Sequence, residues 1–426
     1  MERRSREVSP HPRKTNGIDR KEMIDMKAVM YGGGNIGRGF IGALLSNSGY
    51  EVAFVDVVDD VINALNREHT YPIRIIKGDT YEDIDVKNVS AVDGKDPVAV
   101  AEAIAEADIM ATAVGVNVLK FIIPNIVAGL RLRKERALPP FNIIICENLN
   151  DANKIIEGMI KEQLTEEEIV WFNSNIGLVE AAIGRTVPVQ TEEMKDGNPL
   201  RVCVESYGYL PVDKEAFKGE IPEIKNMVPF APFDFFIKRK LFLHNMAHAM
   251  TAYLGDLLGI EYIYEAIDND EIYIIVKGAM EESARALSKK YGVPLDDIML
   301  HMTDLLDRFT NAALRDTCSR VGREPARKLS SHDRLIGSAT LVSEMGITPA
   351  YIAIGAAAGL FRYMNEAEDK TLTAERVLAS VSELDISSEL GELILDMYEL
   401  IRRGKSFREI RRVADKRVAE SLECVI

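Results

Sequence analysis

Cysteine is scarce in this chain. Four residues in 426, Cys146, Cys203, Cys318 and Cys424, are scattered, and none forms a CxxC pair. That spacing argues against a disulfide framework and against zinc modules built on paired cysteines. It points to reduced thiols, with the cytoplasm as the expected location. Long apolar runs are missing too: none approaches the ~20 residues that span a bilayer, and residues 1–25 lack the apolar segment of a secretory signal. Positive charge is also short. With 52 Lys and Arg against 67 Asp and Glu, the net charge is −15, which disfavours general nucleic-acid or anionic-membrane partners. An acidic protein that holds an anionic small molecule needs a local basic cluster, so such clusters carry information.

What is present is an ordinary globular mix, 47% hydrophobic and 28% charged, in a chain long enough for two or three domains. Residues 1–25 hold seven Lys/Arg, five Asp/Glu and two prolines among few apolar residues, and are expected to form a disordered extension. A start codon misplaced upstream of Met26 is a second reading, and a basic targeting arm a third.

From Met26 the chain is organised around one stretch. A short apolar strand, Ala28 to Tyr31, turns through Gly32-Gly33-Gly34-Asn35-Ile36-Gly37-Arg38 into an apolar-periodic helix, and a second strand, Glu51 to Val55, ends at Asp56. Each part has a physical role in holding a dinucleotide. Gly32 permits the tight turn, Gly34 lets backbone approach a pyrophosphate, and Gly37 lets helix and strand pack closely. The helix N-terminus offers unpaired N–H groups to phosphates, and Arg38 stands just inside it, within reach of a cofactor or substrate phosphate. Asp56, 19 residues after Gly37, can accept hydrogen bonds from ribose hydroxyls. A carboxylate there would repel a 2′-phosphate, so NAD is expected over NADP. A glycine-rich turn that binds nothing is the bland alternative.

Alternation continues, with strands expected at Ala28–Tyr31, Val52–Asp56, Ile109–Ala113 and Asn142–Cys146, and further candidates at Ile169–Phe172 and Arg201–Ser206. Helices are expected at 36–48, 58–66, 97–105, 117–132 and 150–162. Pro72–Tyr81 reads as a small strand insertion, and Asp83–Val92 as a source of another edge strand. This pattern predicts an α/β domain, a Rossmann-type doubly wound parallel sheet over residues 26–228. After a proline-bearing connection at 222–232 the period changes to helical, at 238–257, 270–291, 294–309, 348–363, 372–381 and 387–403, with Gly292 as a C-cap. An all-α C-terminal domain is therefore expected over 229–426.

The first of these helices carries Lys240-Leu-Phe-Leu-His-Asn245-Met-Ala-His248. At about 100° per residue, Asn245 lies roughly 140° and His248 roughly 80° from Lys240, so one broad face presents an amine, an amide and an imidazole. Desolvation can lower a lysine pKa and make it a general base near neutral pH. Spacing alone is also compatible with a solvated helix-start lysine and satisfied interior polar groups. His244 and His248 stand at i, i+4, but without H-E-x-x-H, local cysteines or an obvious third ligand no metal is expected. The segment 320–335 gathers Arg320, Arg323, Arg327, Lys328 and Arg334. Such a cluster suits a phosphate, and it is equally what a solvated basic face paired with acids looks like.

Gly32 to Gly42, Thr112-Ala-Val-Gly115, Cys146-Glu-Asn148, Lys240 to Gly255, Val276 to Ser283 and Arg320 to Leu335 together resemble the polyol-specific long-chain dehydrogenase/reductase family, and within it the mannitol-1-phosphate 5-dehydrogenases, over about residues 26 to 405. The resemblance implies a metal-free, NAD-dependent enzyme that interconverts D-mannitol 1-phosphate and D-fructose 6-phosphate. It implies Lys240 as acid/base, with Asn245 and His248 holding the reacting oxygen. Gly32, Gly33, Gly34, Asn35, Ile36, Gly37, Arg38, Asp56, Gly115 and Asn148 are the expected cofactor contacts; Glu180, Arg327, Lys328 and Arg334 are the expected substrate contacts. Two departures stand out. In Glu180-Ala-Ala-Ile-Gly-Arg185 the first of the two acids usual in the family persists only as Glu180 and the second is replaced by Gly184, and His244 replaces a usually apolar residue. A carboxylate at Glu180 would tune Lys240 or relay protons. The rival functions are a polyol or hexuronate dehydrogenase/reductase acting on an unphosphorylated substrate, and a silent dinucleotide sensor. The expected partner is a small-molecule sugar or polyol phosphate, and the oligomeric state is open, a monomer included.

Overall fold

The computed structural model describes residues 26–77, 80–149, 151–188, 190–369 and 371–423. The expected extension at 1–25 lies outside the described residues, as does Cys424. The described residues form eleven strands: β1 (Lys27–Tyr31), β2 (Glu51–Asp56), β3 (Thr70–Lys77), β4 (Thr80–Lys87), β5 (Val89–Asp93), β6 (Ile109–Thr112), β7 (Phe141–Ile145), β8 (Ile176–Glu180), β9 (Val202–Glu205), β10 (Leu210–Asp213) and β11 (Met227–Phe230). Six of them build one sheet in the order β5-β2-β1-β6-β7-β8, every pair parallel. This is the doubly wound order, and it reverses between β1 and β6. At that point a crevice opens beyond the carboxyl ends of the strands.

The sheet is buried on both faces, as continuous apolar strands require. Met30, Phe54 and Ile144 point into one core with Phe40 and Tyr71, while Val29, Val55 and Ile143 point into the other with Ile123 and Phe172. Fully burying side chains of this size stabilises by about 1.5–3 kcal/mol each. The insertion reads true: β3 pairs antiparallel with β4 and parallel with β9 in a second sheet. β10 and β11 form a parallel pair.

One expectation fails outright. Ile169–Phe172 is not a strand but the interior of the helix Glu166–Asn175. Thr165 caps that helix by accepting from the Glu168 N–H, and the Glu168 side chain returns the bond to the Thr165 N–H. The reciprocal cap outweighs the β-branched pair Ile169-Val170. The last strand of the sheet is instead β8, directly after that helix.

Beyond Asp234 the described chain is helical. The helices Met246–Leu257, Asp270–Tyr291 and Ala350–Glu366 pack around an extensive apolar core that includes Met250, Val276, Met280 and Ile354. Gly292 ends the long helix at φ +68°, the left-handed C-cap that its sequence position predicted. Ile336–Glu344 and Phe407–Glu423 are helices the sequence pattern did not single out.

Candidate active site

The glycine-rich turn leaves β1 at the reversal point. Gly32 has φ +105°, and a Cβ there would run into the Ala113 carbonyl at the end of β6. A Cβ on Gly37 would run into the Gly32 carbonyl oxygen, whereas one on Gly34 would meet nothing within 4 Å. Gly34 and Asn35 are exposed, while Ile36 is partly buried against the sheet core. The helix that follows opens with a π-helical turn, Gly37–Ile41, in which Gly42 N–H reaches back to the Gly37 carbonyl.

Asp56 ends β2 with its carboxylate held by backbone. Oδ2 accepts from the Gly33 N–H at 2.8 Å, and Oδ1 accepts from the Val57 and Val58 N–H groups at 2.7 and 3.0 Å. Across the crevice, Gly115 adopts φ +90° with open space where a side chain would be. Its N–H and that of Val114 donate to the Glu147 carboxylate at 2.8 and 3.0 Å. Glu147 is buried and was not expected as a functional residue, although it stands inside Cys146-Glu-Asn148. Asn148 beside it is exposed.

Arg38 is placed differently from its expectation. It is buried, and its guanidinium donates to the Gly33 carbonyl from Nε and to the Leu200 carbonyl from Nη1, both at 2.6 Å. It ties the glycine turn to the second sheet instead of offering its charge to a phosphate.

The helical part supplies Lys240, and the helix is not uniform there. Asp234–Arg239 is α-helical, Lys240–Asn245 is a π-helical turn, and Met246–Leu257 is α-helical again. Met246 N–H bonds to the Leu241 carbonyl, five residues back. The bond spans one more residue than in an α-helix, so the turn is wider and brings Asn245 closer to the face of Lys240. The angle of roughly 140° expected from α-helical pitch is thereby corrected.

Burial pushes the Lys240 pKa down to about 8, helped by the Arg334 cation and opposed by Cys146 at the end of β7. Glu180, at the tip of β8 beside Ile145, is pushed up to about 7, first by burial and then by Asp151 and Asp213, with Lys154 opposing. Its electrostatic neighbours are those acids and Lys154, whereas those of Lys240 are Arg334 and Cys146. His248 Nε2 lies 3.2 Å from the Asp316 carboxylate, and its ring stacks on Phe309 at 5.2 Å between centroids. His244 is held well below the usual imidazole range by burial and then by the cations around it, Arg308 first.

The basic segment separates into distinct roles. Lys328 is buried, and its amine donates to the Val321 and Arg323 carbonyls. Burial, with Arg334 and Arg327 nearby, pushes it down to about 8. It closes a turn and is not presented to a phosphate. Arg320 binds Asp316 at 2.8 Å. Arg327 is exposed and pairs with Glu324 at 2.9 Å. Arg334 is largely buried against Asp333 at 2.7 Å, and its charge is the one from this segment that reaches Lys240.

Sequence spacing gave no sign of the link between the two parts of the chain. Arg308, on the helix Leu295–Phe309, donates twice to Glu205 of β9 and once to the Gly184 carbonyl at 2.6 Å. A Cβ on Gly184 would lie 2.8 Å from the Tyr207 ring, a ring over which Arg308 sits at 4.7 Å. Among the described residues no group of three or more His, Cys, Asp or Glu is placed to hold a metal ion, and no helix is long and apolar enough to cross a membrane.

This arrangement has a counterpart among known proteins. Residues 26–226 match the mannitol dehydrogenase Rossmann domain and residues 233–391 the mannitol dehydrogenase C-terminal domain. The chain belongs to the mannitol dehydrogenase family. It is accordingly an oxidoreductase acting on a CH–OH group. The mannitol-1-phosphate 5-dehydrogenase of Thermoanaerobacter pseudethanolicus is 38% identical over 392 residues, covering 90% of this chain and 98% of the relative. That of Caldanaerobacter subterraneus subsp. tengcongensis is 41% identical over 344 residues, covering 80% and 88%. Among solved structures, a D-sorbitol dehydrogenase in substrate-free form superposes with TM-score 0.76 at 16% identity, covering 89% of this chain and 93% of that one. The Pseudomonas fluorescens mannitol 2-dehydrogenase ternary complex with NAD and D-mannitol superposes with TM-score 0.71 at 15% identity, covering 92% and 95%. Family membership thus extends over both the sheet and the helical part.

Proposed function

We propose that the chain interconverts D-mannitol 1-phosphate and D-fructose 6-phosphate with NAD and without a metal, using Lys240 as acid/base. One observation carries this: Lys240 has a pKa of about 8 and sits beside Cys146 at the carboxyl end of the central sheet, in a family whose relatives at 38% and 41% identity bear that activity's name.

The turn fits a dinucleotide. Gly34 and Gly115 leave open space where side chains would otherwise project, and Asp56 is already oriented by three N–H groups. Gly32, Gly33, Gly34, Asn35, Ile36, Gly37, Asp56, Gly115 and Asn148 would hold it, while Arg38 supports the turn from behind. Bound NAD supplies the acceptor for the C5 hydride.

The chain's own residues do the rest. Neutral Lys240 takes the C5 hydroxyl proton during oxidation and returns it during reduction. Asn245, brought toward the face of Lys240 by the wider π turn, and His248 hold the developing oxyanion. Asp316 engages Nε2 of His248 and fixes the orientation of its ring. Arg334, with Arg327 at the rim, is assigned to the phosphate, and Glu180 to the polyol hydroxyls. A second reading, turnover of an unphosphorylated polyol or hexuronate, is favoured by the commitment of Lys328 to backbone carbonyls. Turnover of NADH or NADPH against fructose 6-phosphate, fructose, tagaturonate and fructuronate separates the two. Preference for fructose 6-phosphate with NADH supports the first reading, and preference for a hexuronate overturns it.

A further inference from the structure

Two water-sized cavities meet at His244, and the first of them reaches Lys240. The first is lined by Tyr207, Arg239, Lys240, His244, His301 and Arg308 and holds about 20 Å³. The second is lined by Glu205, His244, His248, Arg308 and Asp316, among others, and also holds about 20 Å³. Each has polar side chains set among apolar lining, and a cavity of that size with two to four polar partners accommodates one water molecule. Asp316 lines the second cavity and also a third, of about 400 Å³, whose rim includes the exposed residues Thr191, Glu193, Arg315 and Arg320. The cavities therefore run in order from Lys240, past His244, to Asp316 and the surface.

We infer that His244 is a proton-relay residue that connects Lys240 to solvent through these cavities. Oxidation of a polyol leaves Lys240 as an ammonium, and the next cycle needs the neutral amine. The Lys240 ammonium gives a proton to the water in the first cavity, which passes one to a ring nitrogen of His244. The opposite ring nitrogen of His244 releases its own proton to the water in the second cavity. That water passes one to the Asp316 carboxylate and on to bulk water in the outer cavity. His244 is left as its other tautomer and is reset by a flip of its ring, every other group ends as it began, and one proton has left. Ketone reduction runs the same path inward.

The chemistry of each station suits this. A relay imidazole must rest neutral, with one nitrogen able to accept and the other able to donate. Burial first, and then the Arg308 cation, disfavour the charged form of His244. Its ring centroid lies 6.2 Å from that of His248 and 5.8 Å from that of Phe309, and the cavity that His244 shares with Asp316 is where a water would carry the proton onward. Burial works against the charge of Asp316, but His248 and Arg320 outweigh it and keep the carboxyl ionised.

This inference rests on Lys240 as acid/base and deepens that assignment. The test uses the full-length enzyme with Lys240 intact. His244→Gln retains polarity and bulk but cannot exchange protons between two ring nitrogens. It should lower kcat for polyol oxidation by roughly ten- to a hundredfold, near the lower range for loss of a proton-transfer group. The solvent deuterium isotope effect on kcat should increase, while KM for the sugar and Kd for NADH stay unchanged. Asp316→Asn should raise the isotope effect in the same way. An unchanged kcat and isotope effect in His244→Gln overturns the relay. So does a loss of kcat with a parallel rise in KM and no change in isotope effect, which marks a packing role. If Lys240→Ala itself keeps full activity, the acid/base assignment falls first, and the two failures are distinct.

Discussion

Glu205 of β9 and Arg308 of the helix Leu295–Phe309 clasp each other between the sheet-bearing and helical parts of the chain, with Nε–Oε2 at 2.8 Å and Nη2–Oε1 at 2.6 Å. The side chains are 4% and 11% exposed, so this is a buried pair. Glu205 also accepts from the Thr186 N–H, and Arg308 holds the Gly184 carbonyl. The pair thus fixes the chain that follows β8 against the helix that shelters His244. Buried pairs are weak evidence of net stabilisation, but breaking one by removing a partner leaves an uncompensated charge.

Glu205→Ala should accordingly destabilise the enzyme by about 3–5 kcal/mol, read as a lower urea midpoint. Arg308→Leu added to Glu205→Ala should recover part of that loss, because no buried charge is then left alone. A Glu205→Ala midpoint equal to that of the unmodified enzyme would mean that solvent reaches the pair.

The proposed function assigns cofactor choice to Asp56. Its carboxylate is fixed by the Gly33, Val57 and Val58 N–H groups, at the position where a 2′-phosphate would meet its charge. NADH should be used far more efficiently than NADPH, and Asp56→Ser should narrow the ratio of the two kcat/KM values. Equal efficiency with both cofactors in the unmodified enzyme would refute this.

The glycine turn, Asp56 and the sheet alternation were legible because each is local: strand, turn, helix and acid follow within thirty residues. Glu205, Arg308, His301 and Asp316 were not, since nothing in their own neighbourhoods marks them. They matter because β9 and the helix Leu295–Phe309 meet in space. The π turn at Lys240–Asn245 was hidden for another reason, as a hydrophobic pattern does not reveal which carbonyl an N–H chooses. Thr165-x-x-Glu168 was a readable capping signal, and following it would have made Ile169–Phe172 a helix. Lys328 was visible as a cation, but its burial against the Val321 and Arg323 carbonyls was not.

Substrate phosphate should depend on the basic segment unevenly. Arg334→Ala should raise KM for fructose 6-phosphate without changing Kd for NADH. It should also move the Lys240 titration to higher pH, because Arg334 helps to lower that value. Arg327, exposed and paired with Glu324, should matter less. If Arg334→Ala alters neither KM nor the pH profile, the phosphate lies elsewhere.

Metal removal is a separate test of the acid/base assignment. With the Lys240 amine in place of a metal-bound oxygen, prolonged EDTA treatment and gel filtration should leave turnover intact. Activity that is lost and then restored by zinc would make His244 and His248 ligands.

As the proposed acid/base, Lys240 should set the pH dependence. Burial is the chief cause of its depressed pKa of about 8, and the Arg334 cation adds to it. Oxidation needs the neutral amine, of which roughly a tenth is present one unit below the pKa and roughly half at the pKa. Polyol oxidation should therefore climb through about pH 8 and level off above it. Ketone reduction needs the ammonium and should fall over the same interval. Glu180, pushed up to about 7, titrates just below this range and should add a shallower limb that Glu180→Gln removes. Lys240→Ala should lower kcat and kcat/KM by at least ~100-fold, the scale of general acid–base catalysis, with NADH binding by fluorescence preserved. Small primary amines should restore part of the turnover, and the recovered rate should follow the pKa of the added amine. A Lys240→Ala enzyme within a few-fold of the unmodified one, with the same pH profile, would assign the proton to another group, and the titrating Glu180 carboxyl would then be the first to examine.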